Sequence, residues 1–326
     1  MINHLHGRDF LTLLDFTPAE IDFLLHLSAA LKDNWRAKRR LNLLAGKSIA
    51  LLFEKTSTRT RSAFAVAVSS EGGHPEFLGK NDIQMGKKES VKDTARVLAR
   101  FFDGIEYRGF EQSLVSELAQ YADVPVWNGL TDLYHPTQIM ADLLTVQEHF
   151  GTVKDKKLVY VGDGRNNVAN SLIIGAAKTG MHITIAAPEA LWPDEELVEQ
   201  AQNLAKDSGC HIHMEKDPQK AVKGAHAIYT DVWVSMGEEK KPGIRQRIEQ
   251  LQPYQVNSTL MKATERTDTI FLHCLPAHHT DGVHDMEVTE DVFESKSSLV
   301  FDQAENRLHT IKAIIVATIG DYALPL

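Results

Sequence analysis

Ser57-Thr58-Arg59-Thr60-Arg61 places three hydroxyls and two guanidinium groups in five consecutive positions, a concentration of donors suited to a small, doubly charged anion. The stretch follows the apolar run Ser48–Phe53 and precedes Ser62–Ser70, which can continue as a packed helix, so a strand gives way to a helix here. Ser57 falls at the N-cap position. Free backbone N–H groups and the positive end of the helix dipole attract an anion at such a junction. A helix terminus contributes roughly 0.3–1 kcal/mol to a nearby anion, whereas a hydrogen bond to a charged partner contributes about 1.5–3 kcal/mol. The arginines therefore dominate. Cations in a first helical turn are locally unfavourable, so Arg59 and Arg61 need an outside partner, and a bound dianion supplies one. For an isolated basic segment the bland alternative is a solvated charge run.

A second group is His135-Pro136-Thr137-Gln138. Pro136 suits the first helical position, which makes His135 the cap and puts Gln138 in the first turn. A neutral imidazole and a carboxamide can each donate a hydrogen bond to a carbonyl oxygen whose charge grows in a tetrahedral transition state. Asp231 and Ser235 follow the strand-like run His226–Thr230, and Cys274 ends the run Thr269–Cys274. Open α/β sheets bind ligands at such carboxyl ends. A carboxylate there selects a cationic group and repels a second carboxylate, which favours a diamino acid over an acidic one. Cys274 itself could be a nucleophile, a metal ligand, a hydrogen-bonding group or plain core. A zinc site built from His273, Cys274, His278 and His279 is opposed by the alternation of a strand, which sends His273 and Cys274 to opposite faces. Gly162 to Asn167 follows a strand and opens a helix like a dinucleotide fingerprint, but Asn167 stands where the third glycine is required.

These residues need elements to hold them. Strand-like runs at Ser48–Phe53, Leu158–Gly162, His182–Ala186, His226–Thr230, Thr269–Cys274 and Ser298–Phe301 alternate with helical patterns, the signature of an α/β protein with parallel sheets. The length of 326 residues implies about two domains. The segment His135 to Phe150, with an apolar face of Ile139, Met140, Leu143, Leu144 and Val146, is a helix at the domain boundary. From Gln303 to Ile319 apolar residues recur at helical spacing and predict a final helix. Asn81 to Ser90 reads as a polar surface loop.

A net charge of −9 and a pI near 5.9 argue against a nucleic-acid-binding surface. Only Cys210 and Cys274 are present, too few for a disulfide framework, which fits a reducing cytoplasm. Met1 to Phe10 lacks the apolar core of a signal peptide, and no segment reaches the roughly 18 apolar residues of a membrane span.

The Ser57–Arg61 motif after its strand resembles the carbamoyl-phosphate signature of the aspartate and ornithine carbamoyltransferase family. His135-Pro136-Thr137-Gln138, Asp231-Val232-Trp233-Val234-Ser235-Met236-Gly237 and His273-Cys274-Leu275-Pro276 are similar to its other three signatures, in the family's order, and the last two belong to the ornithine branch. The resemblance runs from about Leu11 to Gly320. It implies two α/β domains, each with a parallel sheet flanked by helices, and an active site in the interdomain cleft. The expected division is a carbamoyl-phosphate domain at 1–137 plus 304–326 and an ornithine domain at 138–303, the final helix returning to the first.

The reaction implied is carbamoyl phosphate plus L-ornithine to L-citrulline plus phosphate, without cofactor or metal. Another amine acceptor such as putrescine, or a non-catalytic relative, stays open. By this resemblance Arg59, Arg108, His135, Gln138 and Cys274 are catalytic. Ser57, Thr58, Thr60, Leu275 and Arg307 join them on carbamoyl phosphate. Gln84 and Lys88 are delivered across a subunit boundary, which implies a homotrimer or a higher assembly of trimers. Asn167, Asp231, Ser235 and Met236 hold ornithine, and the loop from Ser235 to about Lys241 is a lid.

Overall fold

Nine parallel strands among the described residues fall into two separate sheets, one in each of two compact units. The computed structural model describes residues 4–86, 88–234, 242–279 and 286–321. The first unit comprises Met1–Leu144 and Glu305–Leu326, the second Thr145–Ala304.

In the first unit the chain runs through α1 (Pro18–Arg36), β1 (Ser48–Phe53), α2 (Arg59–Ser70), β2 (His74–Gly79), α3 (Val91–Phe101), β3 (Gly104–Arg108), α4 (Gln112–Tyr121), β4 (Val126–Leu130) and α5 (Pro136–Phe150). The strand order is β2-β1-β3-β4. β1 is the apolar hexapeptide read from the sequence, buried from Ile49 to Phe53. The order turns around between β1 and β3, and their carboxyl ends meet in register, Phe53 opposite Arg108. That switch point is where an open sheet leaves a crevice for a ligand.

The second unit runs through β5 (Lys157–Val161), α6 (Asn167–Thr179), β6 (His182–Ala186), α7 (Glu195–Ser208), β7 (Ile212–Glu215), α8 (Pro218–Ala221), β8 (Ala227–Thr230), α9 (Ile244–Leu251), α10 (Ser258–Lys262), β9 (Ile270–His273), α11 (Glu290–Phe293) and α12 (Val300–Ile319). The order β7-β6-β5-β8-β9 places its switch point between β5 and β8. The division between the units falls inside α5 and inside α12. No described helix is long and apolar enough to cross a membrane.

One expected strand is absent. Ser298 makes a single bridge to Phe271, and the chain then turns into α12 at Val300. Once Leu299 N–H has bonded to Phe271 O, Leu299 O accepts from Gln303 N–H and starts the helix. The apolar triplet Leu299-Val300-Phe301 is thus a helix entrance, with Phe301 exposed.

The final helix is hydrogen-bonded into the first unit at three buried points. Lys312 Nζ bonds Glu71 at 3.0 Å with both side chains buried, Lys32 Nζ bonds Asn306 Oδ1 at 2.6 Å, and Trp127 Nε1 donates to Thr318 Oγ1 at 3.0 Å.

Candidate active site

The Ser57–Arg61 stretch is capped by Ser57, as its place before the helix suggested. Its Oγ accepts from Thr60 N–H at 3.1 Å. Thr58 already has helical φ/ψ of −76° and −53° and makes no side-chain cap of its own. Arg108 reaches this turn because β3 ends beside β1, and Arg108 O accepts Glu54 N–H at 2.9 Å.

Thr60 is the hub of the first unit's site. Its buried hydroxyl oxygen lies 3.1 Å from Arg108 Nη1 and 3.1 Å from Arg307 Nη2, accepting from two guanidinium groups contributed by β3 and α12. Arg307 also donates to Gln138 Oε1, and lies 3.3 Å from His135 Nε2 and 3.4 Å from Thr137 Oγ1. Arg59 opens α2 and acts electrostatically on His135. Arg59, Thr60, Arg108, His135, Gln138 and Arg307 therefore form one group. Burial holds the His135 imidazole well below its ordinary pKa, and the positive charges of Arg307, Arg108 and Arg59 push the same way. The ring is neutral at pH 7. With Arg307 donating to Nε2, the ring proton sits on Nδ1.

Arg61 stands apart. Its guanidinium lies 3.6 Å from the centre of the Phe77 ring, a cation–π contact that gives this arginine a packing reason instead of an anionic partner.

Two residues that sequence reasoning passed over complete the group. Asp142, one turn after Gln138 on α5, accepts from Gln138 Nε2 at 2.8 Å and fixes the carboxamide orientation. Its i, i+4 spacing on a helix was the available signal. Glu106, on the same face of β3 as Arg108, is fully buried, and neither of its carboxylate oxygens has a hydrogen-bond partner among the described residues. Burial raises its pKa well above the ordinary 4.5, opposed by Arg108 and Arg307. Gly129 makes room for it, since a Cβ there would lie 2.0 Å from Glu106 Oε1.

Gln84 and Lys88 lie on an exposed tight turn in which Lys88 N–H bonds Gln84 O at 3.1 Å. Ile83 and Met85 pin the turn to the core beneath it.

In the second unit the residues after β5, β8 and β9 gather around the switch point. Asn166 caps α6, its Oδ1 accepting Ala169 N–H at 2.8 Å, and Asn167 is the first helical residue. Gly162 makes the turn that precedes it, at φ +139°. Asp231 is buried, and its Oδ1 accepts from Val232 N–H at 2.8 Å and from the Cys274 thiol at 3.0 Å. Burial raises its pKa above the usual 3.8, while His273 and the Cys274 hydrogen bond oppose this. Asp163 is buried and paired to Arg165 at 2.8 Å and to Arg247 at 3.6 Å.

Cys274 and His273 do not separate as strand alternation required. β9 ends at His273, so Cys274 belongs to the following turn, and Asp231, His273 and Cys274 bring potential ligand atoms within 4.8 Å of one another. The turn is strained at Leu275, φ +61°, whose N–H donates to His273 Nδ1 at 2.8 Å. His273 Nε2 faces Glu287 at 3.4 Å, both side chains wholly buried. Ser235, Met236 and the expected lid to Lys241 lie outside the described residues, as does the segment 280–285.

Two family descriptions match the chain: residues 8–148 correspond to "Aspartate/ornithine carbamoyltransferase, carbamoyl-P binding domain" and residues 154–318 to "Aspartate/ornithine carbamoyltransferase, Asp/Orn binding domain". The chain is 56% identical over 331 residues to the catabolic ornithine carbamoyltransferase of Streptococcus gordonii, covering 98% of this chain and 97% of that protein. Among solved structures it is similar to ornithine carbamoyltransferase from Pyrococcus furiosus, with TM-score 0.91, 45% identity and coverage of 97% and 98% of the two chains. It is also similar to the anabolic ornithine carbamoyltransferase of Campylobacter jejuni, with TM-score 0.86, 37% identity and coverage of 94% and 97%. A cluster of guanidinium groups at one sheet's switch point, an acid at the other's and relatives that match from end to end agree: the chain belongs to the aspartate/ornithine carbamoyltransferase family.

Proposed function

We propose that this enzyme transfers the carbamoyl group of carbamoyl phosphate to the side-chain amine of L-ornithine, giving L-citrulline and phosphate. The observation that carries the ornithine reading is the buried Asp231 carboxylate after β8, hydrogen-bonded to the Cys274 thiol. A negative charge in an amino-acid site attracts the ammonium of the amino acid and repels the second carboxylate of aspartate, while leaving the side-chain amine of ornithine to react.

The first unit's residues take carbamoyl phosphate. Arg59, Arg108 and Arg307 offset the phosphate's charge, which also makes it a better leaving group, and Ser57, Thr58 and Thr60 hydrogen-bond to it. His135, and Gln138 through the remaining hydrogen of its amide, donate to the carbonyl oxygen as it gains charge. Asn167, Asp231, Ser235 and Met236 hold ornithine. Its neutral amine attacks the carbonyl carbon, a tetrahedral intermediate forms, the C–O bond to phosphate breaks, and the proton that the nitrogen sheds is taken by the departing phosphate. Cys274 and the Leu275 main chain serve the reacting centre, a role that rests on their match to the family. Much of the acceleration comes from holding two reactants in a preorganised arrangement.

Gln84 and Lys88, exposed on their turn, match residues that the family delivers to a neighbouring subunit. A homotrimer with shared sites is the assembly this favours.

Assay of the purified chain with carbamoyl phosphate and ornithine, aspartate or putrescine tests the reading, with particle mass measured alongside. Citrulline from ornithine alone is expected, at a mass of three chains or a multiple. Carbamoylaspartate or carbamoylputrescine as the main product would refute the assignment of Asp231.

A further inference from the structure

Tyr160 and Tyr229 stand opposite each other on the neighbouring parallel strands β5 and β8. Both are 0% exposed, and their rings stack at 6.0 Å with 25° between planes. Phenylalanine would fill the same space. A buried hydroxyl costs free energy unless bonded, so two phenols in a sheet interior require a reason beyond packing.

Each hydroxyl is tied to a side chain that holds main chain beside the ornithine residues. Asn166 Nδ2 donates to Tyr160 Oη at 2.6 Å while Asn166 Oδ1 caps α6 at Ala169 N–H. The Asn166 amide is therefore fixed at both ends, immediately before Asn167. On the other strand, Gln303 Nε2 donates to Tyr229 Oη at 3.3 Å, and Gln303 Oε1 accepts His273 N–H at 3.0 Å, one residue before Cys274. The stacked pair joins these two ties. Burial keeps Tyr160 protonated, and the nearby charge of Asp231, with smaller contributions from Asp163 and Cys274, pushes the same way. The phenol is therefore a neutral fixture within reach of the pocket's field and adds no charge to it.

We propose that Tyr160 is a positioning residue for ornithine: its hydroxyl, through Asn166, sets the first turn of α6 so that Asn167 faces the amino acid held by Asp231. This rests on the ornithine reading above.

The test is the steady-state kinetics of citrulline formation by the full chain carrying Tyr160→Phe, Asn166→Ser or both. Serine keeps the helix cap but has no amide to reach Tyr160. Each single variant should raise the ornithine KM about three- to tenfold, the range one hydrogen bond controls, with the carbamoyl phosphate KM unchanged. The double variant should be no worse than the worse single, because both remove the same bond. An ornithine KM within experimental error of the parent's in folded Tyr160→Phe, or effects that multiply in the double, overturns the inference. A purely structural role would lower the melting temperature and leave the two KM values in their original ratio. If Tyr160→Phe does not fold, Asn166→Ser alone decides by the same criterion. Absence of ornithine turnover in the unmodified chain would instead refute the proposed function.

Discussion

Cys274 gives its thiol hydrogen to Asp231 Oδ1 across 3.0 Å, and Val232 N–H bonds the same oxygen at 2.8 Å. One oxygen of the carboxylate is thus used to hold it in place, leaving Oδ2 outside both bonds and suited to a cationic ligand. Burial works against the negative charge here, and the two donors oppose burial.

Asp231→Asn keeps the shape and removes the charge. The ornithine KM should rise about ten- to a hundredfold, as expected for one charged hydrogen bond, with carbamoyl phosphate binding little changed. Because the carboxyl is raised above 3.8, ornithine affinity of the parent should also fall on acidification sooner than an ordinary aspartate would cause. Calorimetric titration with each ligand separately checks both statements.

Thr60→Val removes the oxygen that both Arg108 and Arg307 share while keeping the side chain's volume. Two charged donors lose a common acceptor and their relative orientation. The KM for carbamoyl phosphate should rise about tenfold or more, with a smaller change for ornithine. The reverse pattern, ornithine affected first, would contradict the placement of Thr60.

Lys312→Met leaves Glu71 buried without its cation. Breaking a buried pair from one side costs about 3–5 kcal/mol. A large fall in denaturation midpoint is expected, and adding Glu71→Gln to the same chain should recover part of it. Equal midpoints for the single and the double variant would show that the pair is not the source.

His309 predicts a pH effect on stability. Burial, with Lys312 adding to it, lowers its pKa from 6.5 to about 4. The folded chain therefore holds a neutral ring where the unfolded chain is protonated, so the stabilisation present above 6.5 is lost as the pH falls toward 4. In His309→Gln the slope of unfolding free energy against pH should be shallower across that window, as measured by denaturant titration at several pH values.

Legibility in the sequence followed locality. β1 and α2 were readable because an apolar hexapeptide is continuous and Ser57 stands beside the helix it caps. The edge strands β2 and β7 were not, since His74–Gly79 and Ile212–Glu215 are only partly buried and carry polar residues. β3 was hidden by Glu106 and Arg108, charges that a strand interior normally excludes. Arg108 there reaches Thr60, and Glu106 lies within the field of Arg108 and Arg307. Asp142 escaped notice because it completes Gln138 through a helical turn inside an apolar run. Strand alternation does not separate His273 from Cys274 because β9 ends at His273 and Cys274 lies one residue beyond it.

Arg307 is 247 residues from the hydroxyl it shares with Arg108. Ribosomes make the part of α12 that belongs to the first unit only after the whole second unit, so a nascent chain carries Thr60 and Arg108 before Arg307 exists. Premature termination before Glu305 would release a product that carries the Ser57–Arg61 signature intact yet lacks both the Lys312 counter-charge for Glu71 and the last guanidinium of the cluster.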